Sequence, residues 1–146
     1  MPVQLSDPPV GWETPIDCQA LGARAERLLA ALDEAEAELS IALVDDPTMA
    51  EMNEHYRGRP GATDVLSFSL REGEHVEHGS GLLGDVVLAL PVAARQAAER
   101  GHSLDEELLR LLIHGVLHLL GHDHERDDDA LAMEAREREL RAQIDS

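Results

Sequence analysis

The chain has 146 residues, of which 43% are hydrophobic and only 2% aromatic, so we expect one domain with a core of aliphatic side chains. Thirty acidic residues against twelve basic ones give a formal net charge of −18, which argues against binding nucleic acid through a broad basic face. A polyanionic substrate would have to be held locally, by a metal ion and a few arginines. The simpler interpretation of the charge is solubility.

The cysteine content and the absence of long apolar runs predict a cytosolic protein. Cys18 is the single cysteine, so no intrachain disulfide can form and a reducing compartment is expected. Residues 1–15 lack the basic and apolar parts of a secretory signal. The longest apolar region, Leu108–Leu120, is interrupted by an arginine and two histidines and is too short to span a membrane.

Two helices and a strand are predicted in the first part of the chain. Leucines at helical spacing indicate a helix over residues 17–36, and alternation indicates a strand over Leu39–Val44. Asp46-Pro47 is typical of an N-cap followed by proline in the first turn, so a second helix is expected from there to about Tyr56. Glycines and a proline then predict a loop over residues 57–62.

Two more strands and a helix follow that loop. The sequences Asp64–Leu70 and Leu82–Leu90 are typical of strands, and a polar, glycine-rich connection separates them. Pro91 suits the first turn of a helix that runs to about Arg100 and closes at the next residue, a glycine.

The helices at the C-terminal end complete the predicted fold. Ser103 begins an S-x-x-E capping box for a helix that is apolar nearly all round and is therefore expected to be buried. A last helix over residues 127–142 carries Glu134–Arg138 and Glu137–Arg141 at i,i+4 spacing, which predicts a solvated face. The expected fold is α+β: a three- or four-stranded mixed sheet, with Val3–Leu5 as the uncertain strand, about five helices, and a metal site on the buried helix.

Three histidines near the end of the buried helix predict a metal site. His114 and His118 stand four residues apart, so both imidazoles lie on one helix face and, if buried, need a shared partner. Gly121 can end the helix in a left-handed turn that returns His124 toward the pair. Three imidazoles without a fourth protein ligand are typical of a catalytic metal centre. Neutral imidazoles favour Zn²⁺, although Ni²⁺, Co²⁺ or Fe²⁺ would fit the same ligands.

The same spacing occurs in metzincin proteases, with one difference. Their H-E-x-x-H-x-x-G-x-x-H motif has a glutamate as general base, and this chain has Gly115 there, which makes peptide hydrolysis a secondary hypothesis. Three neutral ligands leave the double charge of the metal intact, which suits an anionic substrate. Inside the turn, His122 is expected to be exposed, and Asp123 either orients a ligand imidazole or stabilises the turn.

Three ordered blocks of sequence resemble the YbeY family of bacterial endoribonucleases. His114–His124 matches the family's H-G-x-L-H-L-x-G-x-D-H motif in full. Upstream, Asn53–Gly58 with Thr63–Phe68 is similar to its N-x-x-Y-R-G and T-D-V-L-S-F segments, and Leu83–Val86 with the later Gln96-Ala97 also matches. The resemblance covers most of the chain.

The resemblance implies a site and an activity. His114, His118 and His124 would be zinc ligands, and Arg57 would be the family's functionally important arginine, acting as a catalytic residue. The implied activity is hydrolytic cleavage of single-stranded RNA in the cytoplasm, in maturation of the 3′ end of 16S rRNA and in ribosome quality control. The implied partners are rRNA and the small ribosomal subunit, with no DNA or membrane. The chain departs from the family's usual K-D-x-P pattern at Arg59–Ala62, so no acidic residue is assigned a role there.

Two rival functions stay open at this point: a metallohydrolase acting on peptide or amide bonds, and a non-enzymatic ribosome-assembly factor with structural zinc. The nucleophile, water or the neighbouring 2′-hydroxyl, also stays open. Among nearby polar residues, we expect Asp64 and Ser67 to serve the strand and its turn, and Asp85 to support the site.

Overall fold

The computed structural model describes residues 3–70, 80–121 and 127–145, which form four strands and five helices. The strands are β1 (Val3–Leu5), β2 (Glu36–Val44), β3 (Val65–Ser69) and β4 (Ser80–Ala89). The helices are α1 (Cys18–Ala31), α2 (Asp46–Arg57), α3 (Leu90–Arg100), α4 (Leu104–Leu119) and α5 (Asp127–Asp145). Within these ranges, no helix combines the length and the apolar character needed to cross a membrane.

The four strands form one mixed sheet in the order β1-β2-β4-β3. β1, β2 and β4 run parallel, and β3 pairs with β4 in the antiparallel direction at the edge of the sheet. The uncertain strand at Val3–Leu5 is therefore present, and the predicted α+β fold with a four-stranded mixed sheet is confirmed.

The period of two along β2 divides its apolar side chains between two cores. Leu39, Ile41 and Leu43 face the larger core, which they share with α1, α4 and α5. Ala42 and Val44 face the other side of the sheet, where a smaller core contains residues of α2. Helices therefore cover both faces of the sheet, and α4 packs against β4 and the edge strand β3.

α4 has the burial that its composition predicts. The Ser103 hydroxyl accepts a hydrogen bond from the Glu106 backbone N–H at 3.1 Å, which caps the first turn. Ten of the sixteen residues of α4 are buried, and the helix ends before Gly121, whose φ of 93° is left-handed. The buried histidine helix and its glycine stop are thus confirmed.

Two predicted helix boundaries are wrong. The first helix ends at Ala31, because Asp33 adopts a left-handed φ of 59° and Glu36 already belongs to β2. The N-cap of α2 is Asp45, one residue earlier than predicted, and Asp46 is the first helical residue. At the second boundary two aspartates stand side by side, and it is Asp45 whose side chain accepts a hydrogen bond from the Thr48 backbone N–H at 2.9 Å.

Glu107, in the first turns of α4, is a fully buried carboxylate. It accepts hydrogen bonds from His102 Nε2 at 2.6 Å and from Arg110 Nε at 3.0 Å, and Arg100 Nε lies 3.7 Å away. Burial alone would raise the pKa of Glu107, but these hydrogen bonds and charges outweigh it and hold the pKa below its ordinary value. The carboxylate is therefore charged and compensated inside the fold.

Candidate active site

A cavity of about 660 Å³ lies between α4, the edge strand β3 and the segment that ends α2. All of β3 contributes to its wall, together with both histidines of α4. The lining residues are Tyr56, Arg57, Arg59, Thr63, Asp64, Val65, Leu66, Ser67, Phe68, Ser69, His114, His118 and Leu119. Residues of two of the three sequence blocks, the one that contains Asn53–Gly58 with Thr63–Phe68 and the one that begins at His114, thus meet at one cavity.

His114 and His118 point into this cavity from consecutive turns of α4. Their Nε2 atoms are 3.1 Å apart, and the ring centroids are 4.7 Å apart. Two nitrogen lone pairs at this distance repel each other unless a proton or a metal ion lies between them. Two imidazole nitrogens bound to one tetrahedral zinc ion at ~2.0–2.1 Å would be separated by ~3.3 Å, so the pair has the spacing of two ligands.

Glu137 of α5 forms a hydrogen bond with His114. Its Oε1 lies 2.8 Å from His114 Nδ1, and the two side chains are only 20% and 26% exposed. A carboxylate on Nδ1 favours the tautomer with hydrogen at Nδ1, so that Nε2 keeps its lone pair for the cavity. The prediction that Glu137 lies on a solvated face is wrong, because α5 packs against α4. The partners are 23 residues apart, and no local spacing could have paired them.

The third predicted ligand, His124, lies outside the described residues, as do His122 and Asp123. The described part of the chain contains no group of three or more potential metal-ligating side chains. It does contain the start of the predicted turn, where the Gly121 backbone N–H donates to the His118 carbonyl oxygen at 3.0 Å. The structure therefore brings together two of the three histidines, and the donor set, two neutral imidazoles on one side of an open cavity, fits zinc.

Gly115, the residue between the histidines, faces the sheet and not the cavity. A Cβ atom at this position would lie 2.9 Å from Val86 Cγ1 and 3.1 Å from both Ser67 Oγ and Val65 Cγ2. The position is too tight for any side chain without movement of the helix or the sheet. A glutamate, the general base of the metzincin motif, does not fit here, which removes the structural basis for a peptidase mechanism of that kind.

Arg57 and Arg59 supply positive charge to the cavity. Arg57 ends α2, and Gly58 follows with a left-handed φ of 65°. Both arginines are exposed, and neither pairs with a carboxylate of the described ranges, whereas Arg95 pairs with Asp46 at 3.3 Å. The cavity wall thus presents two guanidinium groups that have no carboxylate partner among the described residues, in a chain of net charge −18, which favours an anionic ligand.

Asn53 holds the segment that carries these arginines. Its buried side chain donates through Nδ2 to the Gly61 carbonyl oxygen at 2.9 Å, and its backbone carbonyl oxygen accepts from the Arg59 backbone N–H at 3.4 Å. The predicted loop is therefore tied back onto α2. Asn53 belongs to the N-x-x-Y-R-G block, but its role in the loop was not foreseen from the sequence.

Polar residues in β3 and directly before it hold the cavity wall, as predicted for Asp64 and Ser67. Asp64 Oδ1 accepts from the Val65 backbone N–H at 2.8 Å, and its Oδ2 accepts from Gln96 Nε2 at 3.3 Å. The Ser67 hydroxyl donates to the Gly115 carbonyl oxygen at 2.9 Å and so joins the edge strand to the histidine helix.

The expectation that Asp85 supports the site is wrong. Asp85 lies on β4 and lines a separate, smaller cavity of about 80 Å³, together with Leu70 and Leu82. The period of two along β4 accounts for this, because Asp85 points to the opposite face from Val86, which packs against α4.

Comparison with known proteins gives a consistent family. The sequence profile described as Endoribonuclease YbeY matches residues 12–145. The protein named Endoribonuclease YbeY from Syntrophotalea carbinolica is 48% identical over 82% of this chain and 81% of its own length. The protein of the same name from Moorella thermoacetica is 43% identical over 97% of this chain and 93% of its own.

A solution structure of a protein from Thermotoga maritima has the same fold. It superimposes with a TM-score of 0.64 and 23% sequence identity, and the match covers 97% of this chain and 88% of the other. At that identity the likeness concerns the fold alone. Because the family profile spans nearly the whole chain and relatives above 40% identity span most of it, this protein belongs to the Endoribonuclease YbeY family.

Proposed function

We propose that the cavity is the active site of a metal-dependent endoribonuclease that cleaves single-stranded RNA. His114, His118 and His124 would hold one Zn²⁺ ion, and Arg57 would contact the scissile phosphate. The observation that carries the proposal is the pair of imidazoles with Nε2 atoms 3.1 Å apart, facing the same cavity as Arg57 and Arg59.

A zinc ion held there would supply Lewis-acid charge at a phosphoryl oxygen and would lower the pKa of water to ~7. The chain's own residues prepare the site for it. Glu137 fixes the ring of His114 with Nε2 toward the cavity. The hydrogen bond from the Ser67 hydroxyl to the Gly115 carbonyl oxygen holds the helical turn between the two histidines against β3. The alignment of the two ligand nitrogens is thereby independent of substrate.

Arg57 would act on the charge that develops during cleavage. A guanidinium group binds phosphate through two parallel N–H···O bonds, and its charge stabilises a phosphorane-like transition state more than the ground state. Its position at the end of α2, held by the Asn53 contacts, keeps it on the cavity wall opposite α4. Whether the attacking group is water or the neighbouring 2′-hydroxyl is decided by the product ends.

The proposed biological substrate is rRNA, chiefly the 3′ end of 16S rRNA, on the small ribosomal subunit in the cytoplasm. The charge of −18 supports a delivered substrate, because the protein as a whole repels RNA and offers positive charge at the cavity. RNA bound elsewhere on a ribosomal particle would need only a short unpaired segment to enter.

The test compares purified wild-type protein with Arg57→Ala on single-stranded RNA. We expect Arg57→Ala to lower the cleavage rate by about 10²–10³-fold, the effect of removing one charged donor from a developing oxyanion. Its zinc content, measured by mass spectrometry, should equal that of the wild type. A 2′,3′-cyclic phosphate on the product would identify the 2′-hydroxyl as nucleophile.

Arg95→Ala is the matched control, since it removes an exposed arginine that is paired with Asp46 and does not line the cavity. It should cleave RNA at the wild-type rate. Loss of zinc in Arg57→Ala would make Arg57 a structural residue. Holo-protein that contains zinc but cuts no RNA would instead support the non-enzymatic assembly factor.

A further inference from the structure

Tyr56 stands out among the aromatic residues of this chain. The sequence contains one tryptophan, one tyrosine and one phenylalanine, and the fold leaves 61% of the tyrosine exposed at the cavity wall. An aromatic side chain can bury about 150–250 Å² when it serves a core, so Tyr56 contributes little of its area to stability. In a chain this poor in aromatic residues, an exposed ring beside the arginines calls for a role in binding.

The ring is held in place although it is exposed. It makes an edge contact with Phe68 of β3, with centroids 5.1 Å apart, and another with His55, with centroids 4.6 Å apart. These two contacts hold the Tyr56 ring at the end of α2. A ring that is already ordered loses little conformational entropy when a ligand binds, which favours binding through it.

The charges around Tyr56 specify the chemistry of that ligand. Arg57 and Arg59 follow it in the chain, line the same cavity and lack a carboxylate partner among the described residues. A flat aromatic face next to two guanidinium groups matches a nucleotide, in which a flat base is linked to an anionic phosphate. An isolated phosphate would use only the guanidinium groups.

We infer that Tyr56 is a stacking platform for one unpaired nucleobase of the RNA substrate, next to the phosphate that Arg57 contacts. This inference rests on the proposed function and adds a residue that selects the substrate. A base inside a duplex has both faces covered by its neighbours, and freeing it costs energy, whereas an unpaired base offers a face directly. Stacking on Tyr56 therefore contributes to selection of single-stranded RNA.

The test is a double-mutant cycle between the protein and the RNA. Cleavage is measured for wild type and Tyr56→Ala on a short single-stranded RNA, and on versions that carry one abasic nucleotide at successive positions around the cleavage site. In the wild type, removal of the stacked base should raise KM by about 5- to 100-fold, with a smaller change in kcat. In Tyr56→Ala, the same removal should cost less than about 2-fold, since the base has already lost its partner.

Conservative variants separate stacking from a structural effect. Tyr56→Phe and Tyr56→Trp keep an aromatic face and should keep the dependence on the base, while Tyr56→Leu should lose it. Leu131→Ala is the matched control, because this α5 residue is 63% exposed and does not line the cavity. Thermal unfolding of each variant checks that the fold is retained.

The inference and the proposed function fail in different ways. If base removal at every position costs the same in wild type and Tyr56→Ala, Tyr56 does not stack on the RNA and the inference is overturned, whatever the activity. If the wild type cuts none of these RNAs, the proposed function fails. The same cycle is then carried by fluorescence anisotropy of the intact labelled RNAs, where equal losses again overturn stacking.

Discussion

Two histidine–carboxylate contacts lie toward opposite ends of α4 and have different roles. His102 meets Glu107 through Nε2 at 2.6 Å, and His114 meets Glu137 through Nδ1 at 2.8 Å. Glu107 is fully buried and is also compensated by two arginines, whereas the His114–Glu137 pair is partly exposed beside the cavity. The first contact neutralises a buried charge, and the second orients a ring.

The nitrogen that is bound makes the difference. With Nδ1 engaged by Glu137, His114 presents Nε2 to His118, and the pair can share a metal ion. With Nε2 engaged by Glu107, His102 has no such second histidine among its described contacts. The same two residue types are therefore a structural pair in one place and part of a candidate catalytic site in the other.

Replacement of each histidine in turn should separate the two contacts most clearly. We expect His114→Ala to lose bound zinc and to lower RNA cleavage by more than about 100-fold, because two remaining ligands hold zinc poorly. His102→Ala should keep both zinc and cleavage, since the contact described for its ring is with Glu107 and not with the cavity. Zinc analysis and cleavage assays on the same preparations decide it. Full activity in His114→Ala would refute the metal site.

Removal of the orienting carboxylate should have a smaller effect. Glu137→Ala is expected to weaken zinc binding by about 10- to 100-fold, the usual cost of losing the partner of a ligand histidine. Glu139→Ala makes the same change on the same helix at a site that is 60% exposed and paired with Arg136, and it should bind zinc normally. Competition with a chromophoric chelator measures both. Equal affinities in the two variants would show that Glu137 does not position His114.

The buried contact between His102 and Glu107 should contribute to the free energy of unfolding in a way that depends on pH. Because the pKa of Glu107 is lowered in the folded state, its contribution is present above its unfolded pKa of ~4.3 and is lost as the pH falls toward the folded value. Glu107→Gln should be less stable than wild type by about 2 kcal/mol at pH 7. Urea unfolding should show this gap narrowing below about pH 4. A gap that is constant with pH would mean that the charge of Glu107 is not responsible.

Features that depend on neighbours in the sequence were predicted well. The cap at Ser103, the buried character of α4 and the left-handed Gly121 follow from residues within a turn or two of each other. The approach of His114 and His118 follows from helix geometry in the same way. The family resemblance added Arg57, whose local sequence alone is that of an ordinary loop arginine.

Features that depend on the packing of distant elements were missed. Nothing near Glu137 indicates that α5 turns it toward His114, and its i,i+4 spacing to Arg141 suggested the opposite. Arg141 instead pairs with Glu106, at the other end of α4. The partners of Glu107 were also unforeseen, because a charged residue inside an amphipathic pattern is normally assigned to solvent. Such contacts require the relative placement of helices, which no local period encodes.

The close contact at Gly115 has a consequence for how this protein can change over evolutionary time. Replacement of Gly115 by glutamate would complete the protease motif in the sequence. In the structure, however, α4 packs so closely on the sheet there that an added Cβ atom would lie within 3.1 Å of side-chain atoms of β3 and β4. The metal-binding motifs of the two kinds of hydrolase thus differ by one residue, but the glutamate of the protease motif requires a different packing of the helix on the sheet. A lineage could cross between them only by first lifting the helix, and that step would disturb the two histidines on which either chemistry depends.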